Sequence, residues 1–202
     1  LPVRTTGAGS FVGRLQEEEQ AGLLGMALGE ALLGRPGLAY GANLAFRREA
    51  FEAVGGYAGE RFASGDDVFL VQRMKKAGKR IGAGYANDVA VTVEAEPTWW
   101  GFVQQRLRWA GKMRSVGGGM PWVGLLVLVL PWALWWASMC FDAETLLSEL
   151  GLEAMLFLAL GWLLWAVPSV GLVLEVRRQL GQSPSVLVTV GCQALFTVYA
   201  PI

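Results

Sequence analysis

Three short stretches carry residues that could do chemistry. The first is Ala63-Ser64-Gly65-Asp66-Asp67-Val68-Phe69-Leu70, with two adjacent carboxylates. Neighbours lie about 100° apart on a helix and on opposite faces of a strand, so only one Asp can enter a given cleft. A carboxylate there can take a proton from a hydroxyl. The plain alternative is a helix start, with Ser64 or Asp66 as N-cap and Asp67 favoured by the dipole. The second stretch is Gly41-Ala42-Asn43-Leu44-Ala45-Phe46-Arg47. Glycine beside a short amide lets backbone approach a ligand closely, or simply makes a turn or bulge. The third is Gln104-Gln105-Arg106-Leu107-Arg108-Trp109. On a helix Gln105, Arg108 and Trp109 stand at i, i+3 and i+4 and share a face. The guanidinium fork suits phosphate, the indole offers a flat surface to a sugar, and the amide bonds both ways. Here the alternative is a basic, aromatic collar at the edge of a membrane, work that Arg106, Lys112 and Arg114 can do.

The elements that must position these groups read as part of an α/β domain. Glu17 to Leu33 has helical character, acidic at its start, and Gly34-Arg35-Pro36-Gly37 breaks it. Leu38 to Arg47 has strand character, with a bend or close backbone approach at Gly41-Ala42-Asn43. Arg48 to Val54 is a short helix stopped by Gly55-Gly56. Phe69 to Ala77 is another, closed by Lys75, Lys76 and Gly78. Val89 to Val93 is β-branched and reads as a strand. Pro97 opens a helix through to Arg114.

The second half is different in kind. The chain is 53% hydrophobic over 202 residues, and most of its charge, 27 of 34 charged residues, lies before residue 117. Met120 to Phe141 and Ala154 to Leu174 carry no charge, and each approaches the roughly 20 residues that cross a bilayer core. A third uncharged run extends from Pro184 to Ile202. Basic residues precede the first run (Arg106, Arg108, Lys112, Arg114) and follow the second (Arg177, Arg178), whereas Asp142 to Leu150 between them is acidic. Basic flanks face the cytoplasm, which puts the first half there. A net charge of zero gives no electrostatic case for nucleic acid, and the absence of histidine removes His-based catalysis and His-ligated metals. Cys140 and Cys192 sit in apolar runs and read as buried small hydrophobes, not as a disulfide or metal pair.

Taken in order, Gly-Ala-Asn-Leu-Ala-Phe-Arg, Gly-Asp-Asp before a helix, Gln-x-x-Arg-Trp and then apolar spans resemble the membrane-integrated family 2 glycosyltransferases, the group of the cellulose, chitin and hyaluronan synthases. The likeness runs from about Gly13 to Val116 and on into the spans. It implies an inverting transfer of a sugar from a nucleotide-sugar donor to a saccharide or lipid-linked acceptor at the cytoplasmic face of the inner (plasma) membrane. Asp67 would be the base on the acceptor hydroxyl, and Asp66 stands where the family more often has Glu. Gln105 and Arg108 would lie near the diphosphate, Trp109 near the acceptor sugar, and Gly41 and Asn43 would line the acceptor side. The resemblance also implies a nucleoside pocket and an Asp-x-Asp motif holding Mg²⁺ or Mn²⁺, and nothing in this sequence matches either. Residues 1–116 are therefore expected to be the C-terminal part of a cytoplasmic GT-A-like domain. Residues 117–202 are expected to be a multi-pass transmembrane region, with spans near 120–141, 154–174 and a truncated 184–202. Alone, the chain is expected to be inactive. The rival expectation is a non-catalytic membrane protein with a cytoplasmic binding domain.

Overall fold

The computed structural model describes residues 1–7, 9–58, 66–84, 86–113, 120–140 and 149–199. Strands β1 (Val3–Thr6) and β2 (Val91–Glu94) pair in parallel, Val3 opposite Val91. A parallel pair needs a long crossover, and the intervening chain supplies helices α1 (Phe11–Leu32), α2 (Arg48–Ala53) and α3 (Asp66–Lys76). After β2 come α4 (Trp99–Met113), α5 (Met120–Met139), α6 (Glu149–Gln179) and α7 (Val186–Tyr199).

Helix α1 is the hub. It begins before the acidic cluster, because the Ser10 hydroxyl accepts the Gly13 N–H at 2.9 Å and caps it. Glu17, Glu18 and Glu19 are therefore interior residues of the helix, not its first turn. Removing the cap in Ser10→Ala is expected to cost about 1 kcal/mol, seen as a lowered unfolding midpoint; an unchanged midpoint would mean that the cap contributes nothing. One part of α1, Ala21 and Leu24, packs on Val173, Val176 and Leu180 at the end of α6. Another part, Val12 and Leu15, packs on Phe102 of α4 and Cys192 of α7. Covered from several directions, the helix has no single apolar stripe. At Gly25 a Cβ would stand 2.7 Å from the Leu172 side chain, so glycine sets the spacing between α1 and α6 there.

The strand expected over Leu38 to Arg47 does not form. A single 3₁₀ turn occupies Gly41–Asn43, with extended residues on either side. The polar groups of this segment are satisfied by side chains instead of a ladder. Asn43 Nδ2 donates to the Pro2 and Val89 carbonyls at 2.7 and 2.8 Å, and the Gly41 N–H donates to Asp67. The expected glycine stops hold: α2 ends at Gly55 and α3 at Gly78, with φ of 80° and 67°.

Two helices are long and apolar enough to cross a membrane, over Trp122–Met139 and Gly151–Gln179. Only 6% and 11% of those windows are buried, so most of their Leu, Val and Trp side chains face outward, unlike those of a core helix. They lie side by side, with Trp165 Nε1 donating to the Val127 carbonyl at 3.1 Å. Pro131 and Pro168 fall inside α5 and α6, as apolar helices with helical neighbours tolerate. The third apolar run forms a helix of 14 residues, about 21 Å long against a bilayer core of about 30 Å. Both of its ends are tied to α1: Thr189 donates to Glu18 at 2.9 Å and Tyr199 to Glu19 at 3.1 Å. Arg177, near the end of α6, pairs with Glu18 and, at 3.2 Å, with Glu17. The Arg177 end of α6 thus lies against the first half of the chain. The acidic stretch 142–148 is outside the described residues.

Candidate active site

A cavity of about 300 Å³ lies where α1, the Gly41 turn, α3, β2 and α4 meet. Asp67 is the second residue of α3 and lines it, with Gly41 opposite. The carboxylate is held at both oxygens: Oδ2 accepts the Gly41 N–H at 2.7 Å and Oδ1 the Val68 N–H at 2.8 Å. An ionised carboxylate has about four lone-pair positions, so each oxygen keeps one for a substrate hydroxyl. Glycine at 41 leaves room for this contact, since a Cβ there would stand 3.2 Å from Asp67 Oδ2. Gly41→Ala should push the carboxylate aside by tenths of an ångström. Turnover of the full-length protein is expected to fall about tenfold, because small misplacements of reacting groups are costly; wild-type turnover would show that the contact does not fix the carboxylate.

The opposite wall comes from α4. Gln105, Arg106 and Trp109 line the cavity. The Arg106 guanidinium lies over two rings, 4.5 Å from the Phe102 centroid and 4.3 Å from that of Trp109. Its Nε is 2.6 Å from Glu19 Oε1, with both side chains largely buried, and it also donates to the Gln105 amide oxygen. One cation therefore fixes the ring and the amide that face the cavity. The approach to α4 is fixed as well. The Gln16 amide of α1 donates to the Glu96 carbonyl and accepts the Glu96 N–H, each at 2.9 Å. Tyr40 also lines the site. Burial, and then the charge of Glu19, push its phenol well above its ordinary value, so it keeps its proton and cannot serve as a base.

The cavity thus gathers Asp67, Gly41, Gln105 and Trp109. Three residues expected beside them lie outside it. Arg108 is exposed, two positions on from the arginine that faces inward. Asn43 spends both amide hydrogens on backbone carbonyls and holds the Gly41 turn to the strands. Asp66 is exposed in the first turn of α3. Ser64 and Gly65 fall outside the described residues. The reading from sequence missed Arg106, Glu19 and also Glu94, a second carboxylate on the cavity wall. A larger cleft of about 740 Å³ takes Leu70, Val71 and Met74 from α3, but neither Asp67 nor any residue of α4.

The profile of the family described as "Glycosyl transferase family group 2" matches residues 5–174. The chain belongs to this family. The match takes in the cavity, α5 and most of α6, so both halves of the molecule fall within one family pattern. Comparison with curated proteins and with solved structures finds no match. Membership of a glycosyltransferase family implies binding of a nucleotide-sugar donor and an acceptor. Among the described residues no three His, Cys, Asp or Glu side chains group where they could hold a metal ion.

Proposed function

We propose that the chain is the acceptor and base side of an inverting, membrane-integrated glycosyltransferase with a GT-A-like catalytic domain. The observation that carries this reading is the placement of Asp67. A carboxylate oriented by two backbone N–H groups faces, across a small cavity, a Trp ring and a Gln amide held by Arg106. In the proposed reaction Asp67 takes the proton of the acceptor hydroxyl. The hydroxyl oxygen attacks the anomeric carbon from the side opposite the leaving group. The bond from that carbon to the nucleotide diphosphate breaks, and the diphosphate leaves with the bonding pair. Trp109 offers the acceptor sugar a stacking surface and Gln105 a two-way hydrogen-bonding partner. Arg108, exposed on the same helix, is available to a diphosphate outside the cavity. In the full-length enzyme a divalent cation, Mg²⁺ or Mn²⁺, would accompany the diphosphate on residues outside this chain. Helices α5 and α6 would span the cytoplasmic membrane of the cell, with the basic ends of α4 and α6 on the cytoplasmic side. The test is a donor screen on the full-length protein with mass analysis of the product, run beside Asp67→Asn. Products from the wild type that Asp67→Asn fails to make support the reading. Equal product from both removes the base assignment.

A further inference from the structure

A second cavity, also about 300 Å³, lies between α1, α5, α6 and α7. Its wall is formed mainly by side chains such as Met26, Leu126, Leu130, Leu172 and Phe196. Several polar groups at the wall are already engaged, and the Gln193 amide of α7 is one more polar group that lines it. Trp165 Nε1 donates to the Val127 carbonyl, the Ser169 hydroxyl donates to the Trp165 carbonyl at 2.7 Å, and Glu19 is held by Arg106 and Tyr199. This cavity and the one holding Asp67 are neighbours. Leu23 lines both, Glu19 lines the apolar one, and its ion-pair partner Arg106 lines the other. Leu23 and the Glu19–Arg106 ion pair thus stand between the two.

We propose that the apolar cavity receives the hydrocarbon chain of a lipid acceptor whose hydroxyl-bearing head group reaches Asp67. The proposal rests on the function given above and narrows its acceptor from saccharide or lipid to lipid. A sugar polymer passing through would bring hydroxyls that need partners at every residue, and burying them unpaired is costly. A wall of Leu, Met and Phe offers few partners, whereas it suits methylenes. Two of the four bounding helices, α5 and α6, expose apolar surface along their length, so a chain can enter from the bilayer without crossing water.

The test uses full-length protein in phospholipid vesicles with hexadecyl glucoside carrying a diazirine in its alkyl chain. Photolabelling is expected on the segments holding Met26 and Leu126, and excess hexadecyl glucoside should compete while glucose does not. Gly22 lines the cavity, and its Cβ position meets only Val173 Cγ2, at 3.4 Å. Gly22→Leu should therefore fill the space without displacing backbone. Each methylene withdrawn from an apolar site weakens binding about fourfold. Labelling at Met26 should accordingly fall about tenfold or more in Gly22→Leu and survive in Gly22→Ala. Labelling confined to outward-facing residues such as Leu156 and Phe157, or unchanged in Gly22→Leu, overturns the proposal. So does equal use of hexadecyl and butyl glucosides as acceptors by the wild type. Asp67→Asn separates the two readings. It should keep the labelling while losing transfer; if transfer survives, the base assignment fails and the lipid site stands.

Discussion

Asp67→Asn in the full-length enzyme is expected to lower glycosyl transfer by about two to four orders of magnitude. The side chains are nearly isosteric, so the packing of α3 should be unchanged. What disappears is the capacity to accept a proton. The amide also cannot reproduce the present bonds. Oδ1 and Oδ2 both accept backbone N–H groups, from Val68 and Gly41, and an amide has only one acceptor atom. Its NH₂ would face one of those donors, adding a local clash of hydrogens to the loss of the base. Donor binding should persist, because no donor contact is assigned to Asp67. The control is the neighbouring carboxylate. Asp66 is exposed and outside the cavity, so Asp66→Asn should cost no more than the roughly 0.3–1 kcal/mol of a charge at a helix start. Rates and donor affinities measured for both variants decide the matter. A comparable fall for both would mean that α3 as a whole, not one oxygen pair, is what matters.

How this site could and could not be read from sequence follows from where each signal lives. Asp67, the Gly41 turn and the Gln–Trp pair on α4 were legible, because each belongs to a local pattern with a local geometry. The inward face of α4 was ambiguous. Gln105, Arg108 and Trp109 fit helical spacing, but so do Phe102, Gln105, Arg106 and Trp109. The structure resolves it through Phe102, which is 1% exposed and locks the second set inward. No local pattern states which aromatic residue the rest of the chain will cover. The start of α1 was misplaced for a related reason. Gln16 to Glu19 look like a polar helix start, yet most of their partners, Glu96, Arg106, Arg177, Thr189 and Tyr199, lie far downstream. The expected strand at Leu38 to Arg47 failed because Asn43 and Asp67 take up hydrogen bonds that a ladder would otherwise make. The apolar runs were the most legible feature, since length and lack of charge are visible without any partner. The short tether of α7 to α1 was not, because Thr189 and Tyr199 look like ordinary residues of an apolar helix.

Arg177→Ala is expected to destabilise the protein by about 3–5 kcal/mol, a large share of the roughly 5–15 kcal/mol that holds a domain folded. Glu18 is 1% exposed and Arg177 11%, so this is an interior pair and not a surface one. Without the guanidinium, Glu18 keeps, among the described residues, the Thr189 hydroxyl as a donor, and a buried carboxylate with one neutral partner is poorly compensated. The loss is larger than that of a single contact, because Arg177 also reaches Glu17, whose other oxygen accepts the Gly7 N–H at 2.6 Å. The consequence reaches the site. Glu18 and Glu19 are adjacent on α1, and Glu19 holds the arginine that faces the cavity of Asp67. Loosening α1 from α6 and α7 should therefore lower activity as well as stability. Arg178, next in the chain and exposed, is the control and should change stability by no more than about 0.5 kcal/mol. Adding Glu18→Gln to Arg177→Ala removes the stranded charge and should restore a good part of the loss. A double-mutant cycle on unfolding midpoints measures the coupling. If Arg177→Ala is as stable as Arg178→Ala, the ion pair does not hold the two halves together, and their attachment must rest on the other contacts, the apolar packing of Ala21 and Leu24 on Val173 and Val176 and the Thr189 and Tyr199 hydrogen bonds among them.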